Sequence, residues 1–494
     1  MKILFVSAEI APLAKVGGLA DVTGALPKYL FDFGQDIRLV LPLYEEIIQK
    51  KYPLSLLSKN IPVQIGDDKQ IINIYQTPLP QTKIPIYLIE NKKYLSEGPI
   101  YSENGQFNEI KRFLFFSKSI LEIPWALNWH PDIYHIQDWH TATVPLFLKL
   151  DNRYIKKPKV LFTIHNLAMQ GRWNWQETMN FLKFEGNEYF SLEEPFYGPF
   201  GRDFNSMQQG VLTADFINTV SPNYAREILT KPYFSRGLQS YFQKRQNNFC
   251  GILNGIDYEN FNPETDPNIF HYYSVKSLKN KKNNKIELKR KIGLKTWEDR
   301  PLFAIVSRLT FQKGIDLVLK IIPSLVSYAD IVILGQGEKE TENALKKIAQ
   351  KYKENVKVFI EFNEPLSRQI YAASDFFLMP SKFEPCGLGQ MIAMRYGSCP
   401  IVRKVGGLKD TVKPLKLKKI FFGKKLNGNG LIFTEYDSNK LWKAVQYGLS
   451  LFNKKNFWHK VICLLMKQDF SWQKSAKEYE NLYKKIVKTE IYYM

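Results

Sequence analysis

The apolar positions of this chain fall into short continuous runs, separated by longer stretches in which apolar residues recur at helical spacing. Residues 2–8 form such a run, and the next stretch places Val22, Leu26 and Leu30 four residues apart. A short apolar run predicts a buried strand, and the four-residue spacing predicts a helix. Further strands are predicted at 36–41, 71–75, 84–89, 133–136, 160–164, 216–220, 302–307, 331–334, 356–360, 376–379 and 400–402. Strands that alternate with helices predict an α/β fold built on doubly wound parallel sheets.

The length of 494 residues is too great for one ordinary core, so we predict two large domains. A turn-rich stretch at 251–262 marks the boundary, and 172–210 reads as a long aromatic-rich loop with short helices. The strands at 71–75 and 84–89 read as an irregular insertion. An amphipathic helix from about 469 to 486 ends the pattern. We therefore predict domains at 1–255 and 256–472, followed by a terminal helix at 473–494.

The chain is strongly basic, with a net charge of +21 from 69 Lys and Arg against 48 Asp and Glu. Part of the excess lies in 276–295 and 413–425, which read as solvated loops or helix faces rather than as nucleic-acid platforms with interleaved aromatic residues. This pattern disfavours nucleic-acid binding. No apolar stretch approaches the roughly 18 residues of a membrane span, so no membrane partner is expected. The cysteines, four in all, lack zinc spacing and suit a reducing compartment.

The segment Lys15–Asp21 (KVGGLAD) follows the first predicted strand and opens a helix. A glycine pair at a helix start lets backbone N–H groups approach an anion, which the helix dipole also favours. Lys15 adds a cation. The segment predicts a phosphate site, although an ordinary strand-to-helix turn has the same pattern. Lys404–Asp410 (KVGGLKD) nearly repeats it, which favours two helix starts that face each other across a cleft.

Two loops of the second half carry further chemistry. Arg308 and Lys313 follow one strand, and two cations there would offset the charge of a diphosphate leaving group; the alternative is two surface cations. Glu384 follows another strand and could hold sugar hydroxyls. The N–H groups from Gly387 to Gly389 could receive a phosphate.

Asp138 and His165 also follow predicted strands, so they could share one edge of a parallel sheet with Lys15. The sequence contains no HExxH, CxxC or DxD motif, and we expect chemistry without a metal. It also contains no nucleophile elbow of the GxSxG type. Cys386 has no histidine near it in the sequence and reads as a small packing residue.

In order and spacing, these motifs resemble the bacterial glycogen synthase and plastid starch synthase family, retaining glycosyltransferases of the GT-B fold. The resemblance runs from Lys2 to about Lys485. It is carried by 15–21 with 24–27, and by 138–140, 163–167, 254–257, 307–314, 381–389, 406–412 and 469–472. It implies two Rossmann-like domains that face a central cleft, with a terminal helix that crosses back to the first domain.

The resemblance also implies the reaction. Glucose would pass from ADP-glucose to the non-reducing end of an α-1,4-glucan such as glycogen or starch, with retention of configuration and without metal or other cofactor. The implied donor-binding residues are Lys15, Gly17, Gly18, Asn254, Gly387, Leu388 and Gly389. The implied catalytic residues are Asp21, His165, Arg308, Lys313 and Glu384. The implied residues beside the glucose and the acceptor are Tyr94, Asp138 and Trp139.

The chain departs from the family pattern at two positions. Gln137 stands where a histidine is common, and Met169 stands where an aromatic residue is common. These departures leave the fit of the acceptor and the rate open, while the implied reaction class is unchanged.

Two other functions compete with this interpretation. A UDP-sugar transferase of another GT-B family commonly carries a Glu-x7-Glu pattern, whereas here Met391 stands seven residues after Glu384. A catalytically silent glucan-binding protein is disfavoured by intact Lys15, His165 and Arg308. Donor preference between ADP-glucose and UDP-glucose, the choice of glycogen or starch, and the oligomeric state stay open. We expect a cytoplasmic location in a bacterium, or the stroma of a plastid-like organelle.

Overall fold

The computed structural model describes residues 1–101, 107–184, 196–198, 201–295, 299–420 and 423–488. The chain divides into two compact units. Unit 1 comprises Met1–Gly255 together with Trp472–Met494, and unit 2 comprises Ile256–Ser471. Unit 2 therefore ends at residue 471, one residue before the predicted end at 472.

The described strands of unit 1 are β1 Lys2–Val6, β2 Asp36–Pro42, β3 Ser55–Ile65, β4 Asp68–Pro78, β5 Pro85–Glu90, β6 Ile133–Gln137, β7 Lys159–Ile164, β8 Arg172–Asn174, β9 Phe196–Gly198, β10 Gly201–Asn205, β11 Phe216–Thr219 and β12 Phe249–Gly251. The main sheet has the strand order β12-β11-β7-β6-β1-β2-β5-β4-β3. Pairing is parallel from β12 through β5, while β4 and β3 are added antiparallel at the edge.

Helices cover this sheet because its central strands are apolar on both faces; in β1, for example, Ile3, Leu4, Phe5 and Val6 are fully buried. The described helices of unit 1 are Gly18–Asp32, Glu45–Gln49, Phe107–Ile120, Ile123–Ala126, Val144–Leu150, Trp175–Leu182, Ser206–Thr213, Pro222–Thr230, Pro232–Ser235, Gln239–Lys244 and Trp472–Lys488, with a 3-10 turn at Gln246–Asn248.

Two stretches of unit 1 are more regular than their sequences predict. The segment read as an irregular insertion continues the main sheet, since β5 pairs with β2 and the unforeseen strand β3 pairs with β4. Within 172–210, β8, β10 and β9 form a small antiparallel sheet. The sequence does not predict this sheet, because its strands are short and pair with one another instead of burying an alternating face. Residues 185–195 and 199–200 lie outside the described ranges.

The described strands of unit 2 are β13 Leu302–Val306, β14 Asp330–Leu334, β15 Val356–Phe359, β16 Phe376–Met379, β17 Cys399–Arg403, β18 Lys416–Ile420, β19 Gly423–Asn427 and β20 Leu431–Phe433, of which β18 and β19 form a separate hairpin. The other strands form a parallel sheet in the order β15-β14-β13-β16-β17-β20. This is the order of a dinucleotide-binding doubly wound sheet, in which the chain starts at the centre and the direction of winding reverses there. The described helices are Leu278–Lys291, Ile315–Leu325, Lys339–Lys351, Glu364–Ala373, Gly389–Arg395, Gly406–Thr411, Ser438–Phe452 and Lys455–Met466, with a 3-10 turn at Phe311–Lys313.

The lysine-rich segment after the boundary is not simply a solvated face. It forms the helix Leu278–Lys291, which buries Lys281, Lys285 and Lys289 at four-residue spacing. Lys285 pairs with Asp375 at 2.9 Å, and Lys289 pairs with Asp330 at 2.8 Å. Lys281 Nζ donates to the carbonyls of residues 372 and 374, and burial lowers its pKa to about 7. Partners that are distant in sequence therefore make this face internal.

The terminal helix begins at Trp472 and packs on unit 1. Its buried residues Trp472, Tyr479 and Tyr483 join the core cluster that also contains Ile3 and Phe5 of β1. The apolar face of the amphipathic helix predicted from the sequence therefore completes the core of unit 1.

Candidate active-site residues

In unit 1 the winding of the sheet reverses between β1 and β6, and polar residues follow both strands. Ligands of doubly wound sheets bind at this place, at the carboxyl ends of the strands. Asp138 follows β6 and accepts from the backbone N–H of His165, which follows β7, at 2.7 Å. The structure therefore brings together two of the residues that the sequence singled out.

Asp138 is buried and has a left-handed backbone conformation, with φ of 54°. Burial raises the pKa of its carboxyl to about 7, with a smaller upward contribution from the charge of Glu9, while the N–H groups of His165 and Asn166 act in the opposite direction. A carboxyl in this environment can change its protonation state near neutral pH.

His165 is held by the residue that departs from the family pattern. Its Nε2 lies 2.9 Å from Oε1 of Gln137, which can only accept, so Nε2 carries the proton and Nδ1 is an acceptor. Burial lowers the pKa of His165 to about 3, so the ring is neutral. Gln137 thus occupies a position where it sets the tautomer of His165. The other departing residue, Met169, is 63% exposed and leaves a flexible apolar side chain at the surface.

The KVGGLAD segment forms the expected turn and helix start, but two of its amides are already engaged. The backbone N–H groups of Val16 and Gly17 both donate to Oε2 of Glu9, each at 2.8 Å. Gly18 begins the helix and is exposed, and among the described residues no side chain caps this helix start. The amides of the first helical turn, rather than that of Gly17, are therefore the donors open to an anion.

Lys15 and Asp21 form an ion pair at this turn. Their Nζ and Oδ1 atoms are 2.7 Å apart, and both side chains are partly exposed. The pair places a cation beside the helix start and holds it there. Glu9 was missed by the sequence reasoning; the signal that could have found it is a lone acidic residue directly beyond the first strand.

The tyrosine beside the Asp-Trp-His motif is Tyr101 and not Tyr94. The ring of Tyr101 stacks on His140 with 5.0 Å between centroids, and that of His140 lies 4.2 Å from Trp139. Tyr94 instead donates to Asp68 at 2.5 Å, stacks on Phe115 and lines a separate cavity of about 550 Å³. Among the described residues, no hydrogen bond or ring contact joins Tyr94 to Asp138 or Trp139.

Trp139 and Asn254 are the remaining predicted residues of unit 1. Trp139 is buried against Gly171, where φ of 62° and a Cβ clash of 2.2 Å with the indole both require glycine. Asn254 is buried, and its Oδ1 has no hydrogen-bond partner among the described residues. A buried oxygen without a partner is rare in native proteins and is open to a ligand donor.

In unit 2 the winding of the sheet reverses between β13 and β16, and the two predicted loops follow these strands. They are joined by an ion pair, because Lys313 Nζ lies 2.6 Å from Glu384 Oε2. Ser381 Oγ donates to the same oxygen at 3.0 Å. Oε1 of Glu384 has no hydrogen-bond partner in the described part of the chain, so it can accept from a hydroxyl.

The other residues of these loops differ in exposure. Arg308 is exposed, and no described residue pairs with its guanidinium. Gly387, Leu388 and Gly389 are partly exposed at the start of the helix Gly389–Arg395, and Gly387 has φ of 74°. The side chain of Gln390 donates to the carbonyl of Gly387 at 2.8 Å and fixes this turn.

The near repeat at Lys404–Asp410 has a different role from the first copy. Gly406 has φ of 44°, whereas Gly17 has φ of −148°. A Cβ on Gly406 would lie 1.8 Å from the carbonyl oxygen of Glu384, and the N–H of Gly407 donates to that oxygen at 3.1 Å. This glycine pair therefore lets the backbone support the Glu384 loop.

Two kinds of feature are absent from the described residues. Within these ranges, no group of three or more His, Cys, Asp or Glu side chains is placed to hold a metal ion. No described helix is both long enough and apolar enough to cross a membrane.

Comparisons with known proteins agree along the whole chain. Residues 2–244 match the family model of the starch synthase catalytic domain, and residues 285–458 match that of glycosyl transferases group 1. The chain is 40% identical to a glycogen synthase of Thermosipho melanesiensis over 99% of its length and 100% of that protein. It is 41% identical to a glycogen synthase of Geotalea daltonii, with 99% of each chain covered.

Solved structures agree as well. The catalytic domain of starch synthase IV from Arabidopsis thaliana, bound to ADP and acarbose, superposes with a TM-score of 0.88 at 32% identity and 99% coverage of both chains. A sucrose-phosphate synthase from Thermosynechococcus elongatus has a TM-score of 0.60 at 16% identity, with 98% of both chains covered, which speaks for the fold alone. The fold is GT-B, and the chain belongs to the glycogen and starch synthase family, the glucosyltransferases of glucan synthesis.

Proposed function

We propose that this enzyme transfers glucose from ADP-glucose to the non-reducing end of an α-1,4-glucan, with retention of configuration and without a metal ion. The observation that carries the proposal is the similarity over 99% of the chain to a starch synthase solved with ADP and acarbose. ADP is the nucleotide product of the proposed reaction. Acarbose is an oligosaccharide analogue of an α-glucan.

The residues of unit 1 are suited to the donor phosphates and the glucan. Lys15 and the uncapped first turn of the helix Gly18–Asp32 supply positive charge and N–H donors for a diphosphate. Trp139 and Asp138 supply an apolar ring and a carboxyl for a sugar. His165 contributes its carbonyl near the reacting carbon, while its neutral ring adds no positive charge there.

The residues of unit 2 are suited to the leaving group and the transferred glucose. Arg308 and Lys313 would stabilise the negative charge that develops on the departing phosphate. Glu384, held through one oxygen by Lys313 and Ser381, has its second oxygen available to orient the glucose. The turn at Gly387–Gly389 adds backbone donors.

The test is a donor-competition assay on a glycogen primer. We expect incorporation of labelled glucose from ADP-glucose in preference to UDP-glucose, and no loss of rate when a chelator is added. Faster transfer from UDP-glucose would overturn the donor assignment. Transfer from neither donor would overturn the enzymatic function, and dependence on a divalent ion would overturn the metal-free mechanism.

The leaving-group assignment is tested separately with Arg308→Ala and Lys313→Ala. Each should reduce kcat by 100- to 1,000-fold, about 2.7–4 kcal/mol, as for other groups that stabilise developing charge. Arg308→Ala is the cleaner variant, because the exposed side chain has no partner whose loss would unsettle the described structure. Lys353→Ala, an exposed lysine elsewhere in unit 2, is the control. Unchanged kcat in both variants would contradict the assignment.

A further inference from the structure

Glu9 is a buried carboxylate at the place where the sheet of unit 1 reverses its winding. It is 4% exposed, and no Lys or Arg forms an ion pair with it among the described residues. Burying an ionised carboxylate is costly unless hydrogen bonds replace the lost water. A buried charge without a counter-ion does not usually stabilise a protein, so the contacts of Glu9 call for a functional explanation.

One oxygen of Glu9 holds the loop that precedes the first helix. Oε2 accepts from the N–H groups of Val16 and Gly17, at 2.8 Å each. These two bonds fix the backbone between Lys15 and the exposed Gly18. The position of the Lys15 side chain and the direction of the first-turn N–H groups therefore depend on Glu9.

The other oxygen of Glu9 holds the aromatic cluster of the Asp-Trp-His motif. Oε1 accepts from the hydroxyl of Tyr101 at 2.7 Å. The ring of Tyr101 stacks on His140, which in turn contacts Trp139. The charge of Glu9 also contributes to the raised pKa of the Asp138 carboxyl.

We propose that Glu9 is a positioning residue for glucosyl transfer, which through its two oxygens fixes both the donor-phosphate loop at Lys15–Gly17 and the acceptor-side ring of Tyr101. This inference rests on the proposed function, since it assigns Glu9 to the same site. Glu9 stays in place when the donor binds, because three hydrogen bonds and burial hold its carboxylate. The donor phosphates accordingly use Lys15 and the amides beyond Gly17.

The experiment compares Glu9→Ala, Glu9→Gln and Tyr101→Phe with the wild-type enzyme. Calorimetry measures the affinity for ADP, and steady-state kinetics measures kcat and the KM values for ADP-glucose and glycogen. Glu46→Gln removes a partly exposed carboxylate of unit 1 and serves as the control. Circular dichroism and thermal unfolding verify that each variant is folded.

Glu9→Ala should weaken ADP binding and raise the KM for glycogen, each by at least tenfold, because it removes the hydrogen bonds to the Val16 and Gly17 amides as well as the one to Tyr101. Glu9→Gln keeps an acceptor for the two amides and should bind ADP within about threefold of wild type. Tyr101→Phe should raise the KM for glycogen alone. The double variant Glu9→Ala with Tyr101→Phe should have the same KM for glycogen as Glu9→Ala alone, because both changes remove the same hydrogen bond between Tyr101 and Glu9.

Three results would overturn the proposal. They are wild-type constants in Glu9→Ala, equal losses of ADP affinity in Glu9→Gln and Glu9→Ala, and additive effects of Glu9→Ala and Tyr101→Phe on the KM for glycogen. If Glu9→Ala does not fold, a loss of ADP affinity well beyond threefold in Glu9→Gln, or a wild-type KM for glycogen in Tyr101→Phe, would overturn the proposal instead. Failure of the proposed function is recognised independently, because the wild-type enzyme would then transfer glucose from neither donor.

Discussion

Asp138 combines a left-handed backbone, burial and two neighbouring N–H donors in a single residue. Aspartate and asparagine adopt this backbone more readily than other residues with side chains. The conformation turns the carboxyl back toward the N–H groups at the end of β7. Burying the ionised form of this carboxyl reduces the stability of the folded protein, and buried groups with shifted pKa values are typical of functional sites.

The titration of Asp138 predicts a pH-dependent stability difference between the wild type and Asp138→Asn. The carboxyl has a folded-state pKa of about 7, whereas an unfolded chain has about 3.9. Between these values the unfolded chain releases a proton that the folded chain keeps, so wild-type stability falls as pH rises. The advantage of Asp138→Asn should therefore grow from pH 4 to pH 7, by about 4 kcal/mol at most, and stay constant above pH 7.

Thermal unfolding from pH 4 to pH 8 measures this difference. Asparagine tolerates the left-handed backbone and keeps an oxygen for the N–H of His165, so the variant isolates the charge. Asp67→Asn, at an 84% exposed side chain, is the matched control. Parallel pH profiles for wild type and Asp138→Asn would show that the carboxyl ionises normally in the folded protein.

At the scale of elements, the terminal helix Trp472–Lys488 depends on a buried polar network as well as on apolar packing. His135 Nε2 donates to Thr163, whose hydroxyl donates to Asn218, so His135 Nδ1 must accept from the hydroxyl of Tyr483 at 2.7 Å. Asn218 in turn donates to Tyr479 at 3.0 Å. Burial holds the pKa of His135 well below its usual range, which agrees with a neutral ring in this chain of donors.

This network predicts that Tyr483→Phe destabilises unit 1 by about 1–3 kcal/mol, because it leaves a buried imidazole nitrogen without a donor. Hydrogen exchange in peptides from 472–488 measures the effect locally, and urea unfolding measures it for the whole chain. Tyr447→Phe, at a 51% exposed tyrosine, is the control. Equal exchange rates in Tyr483→Phe and wild type would show that apolar packing alone holds the helix.

At the scale of the whole molecule, two doubly wound units place their functional loops by the same topological rule. In each unit the loops follow the two central strands between which the winding reverses, β1 and β6 in unit 1 and β13 and β16 in unit 2. Unit 1 is discontinuous in sequence, since it takes its last helix from the end of the chain. Some of the lysines lie inside unit 2, where Lys285 and Lys289 pair with buried aspartates, so the number of lysines overstates how many of them are on the surface.

The sequence by itself determined most of the parallel strands with the helices between them, the α/β class and the family. These features depend on local periodicity, on glycine turns and on motif spacing, all of which are legible along the chain. It also indicated that Asp138 and His165 could share one edge of the sheet, because parallel strands present their carboxyl ends at one edge. The sequence did not predict the small sheet within 172–210, because short strands without alternating apolar residues leave no periodic signal.

Only the tertiary structure decided which donor meets which acceptor. Glu9 bonds to Tyr101 across 92 residues, and it is the ring of Tyr101, rather than that of Tyr94, that stacks on His140 of the Asp-Trp-His motif. The two glycine pairs share a sequence, yet one precedes an exposed helix start and the other packs against the Glu384 loop. Burial and hydrogen bonding of this kind arise from residues distant in sequence, so no local pattern along the chain encodes them.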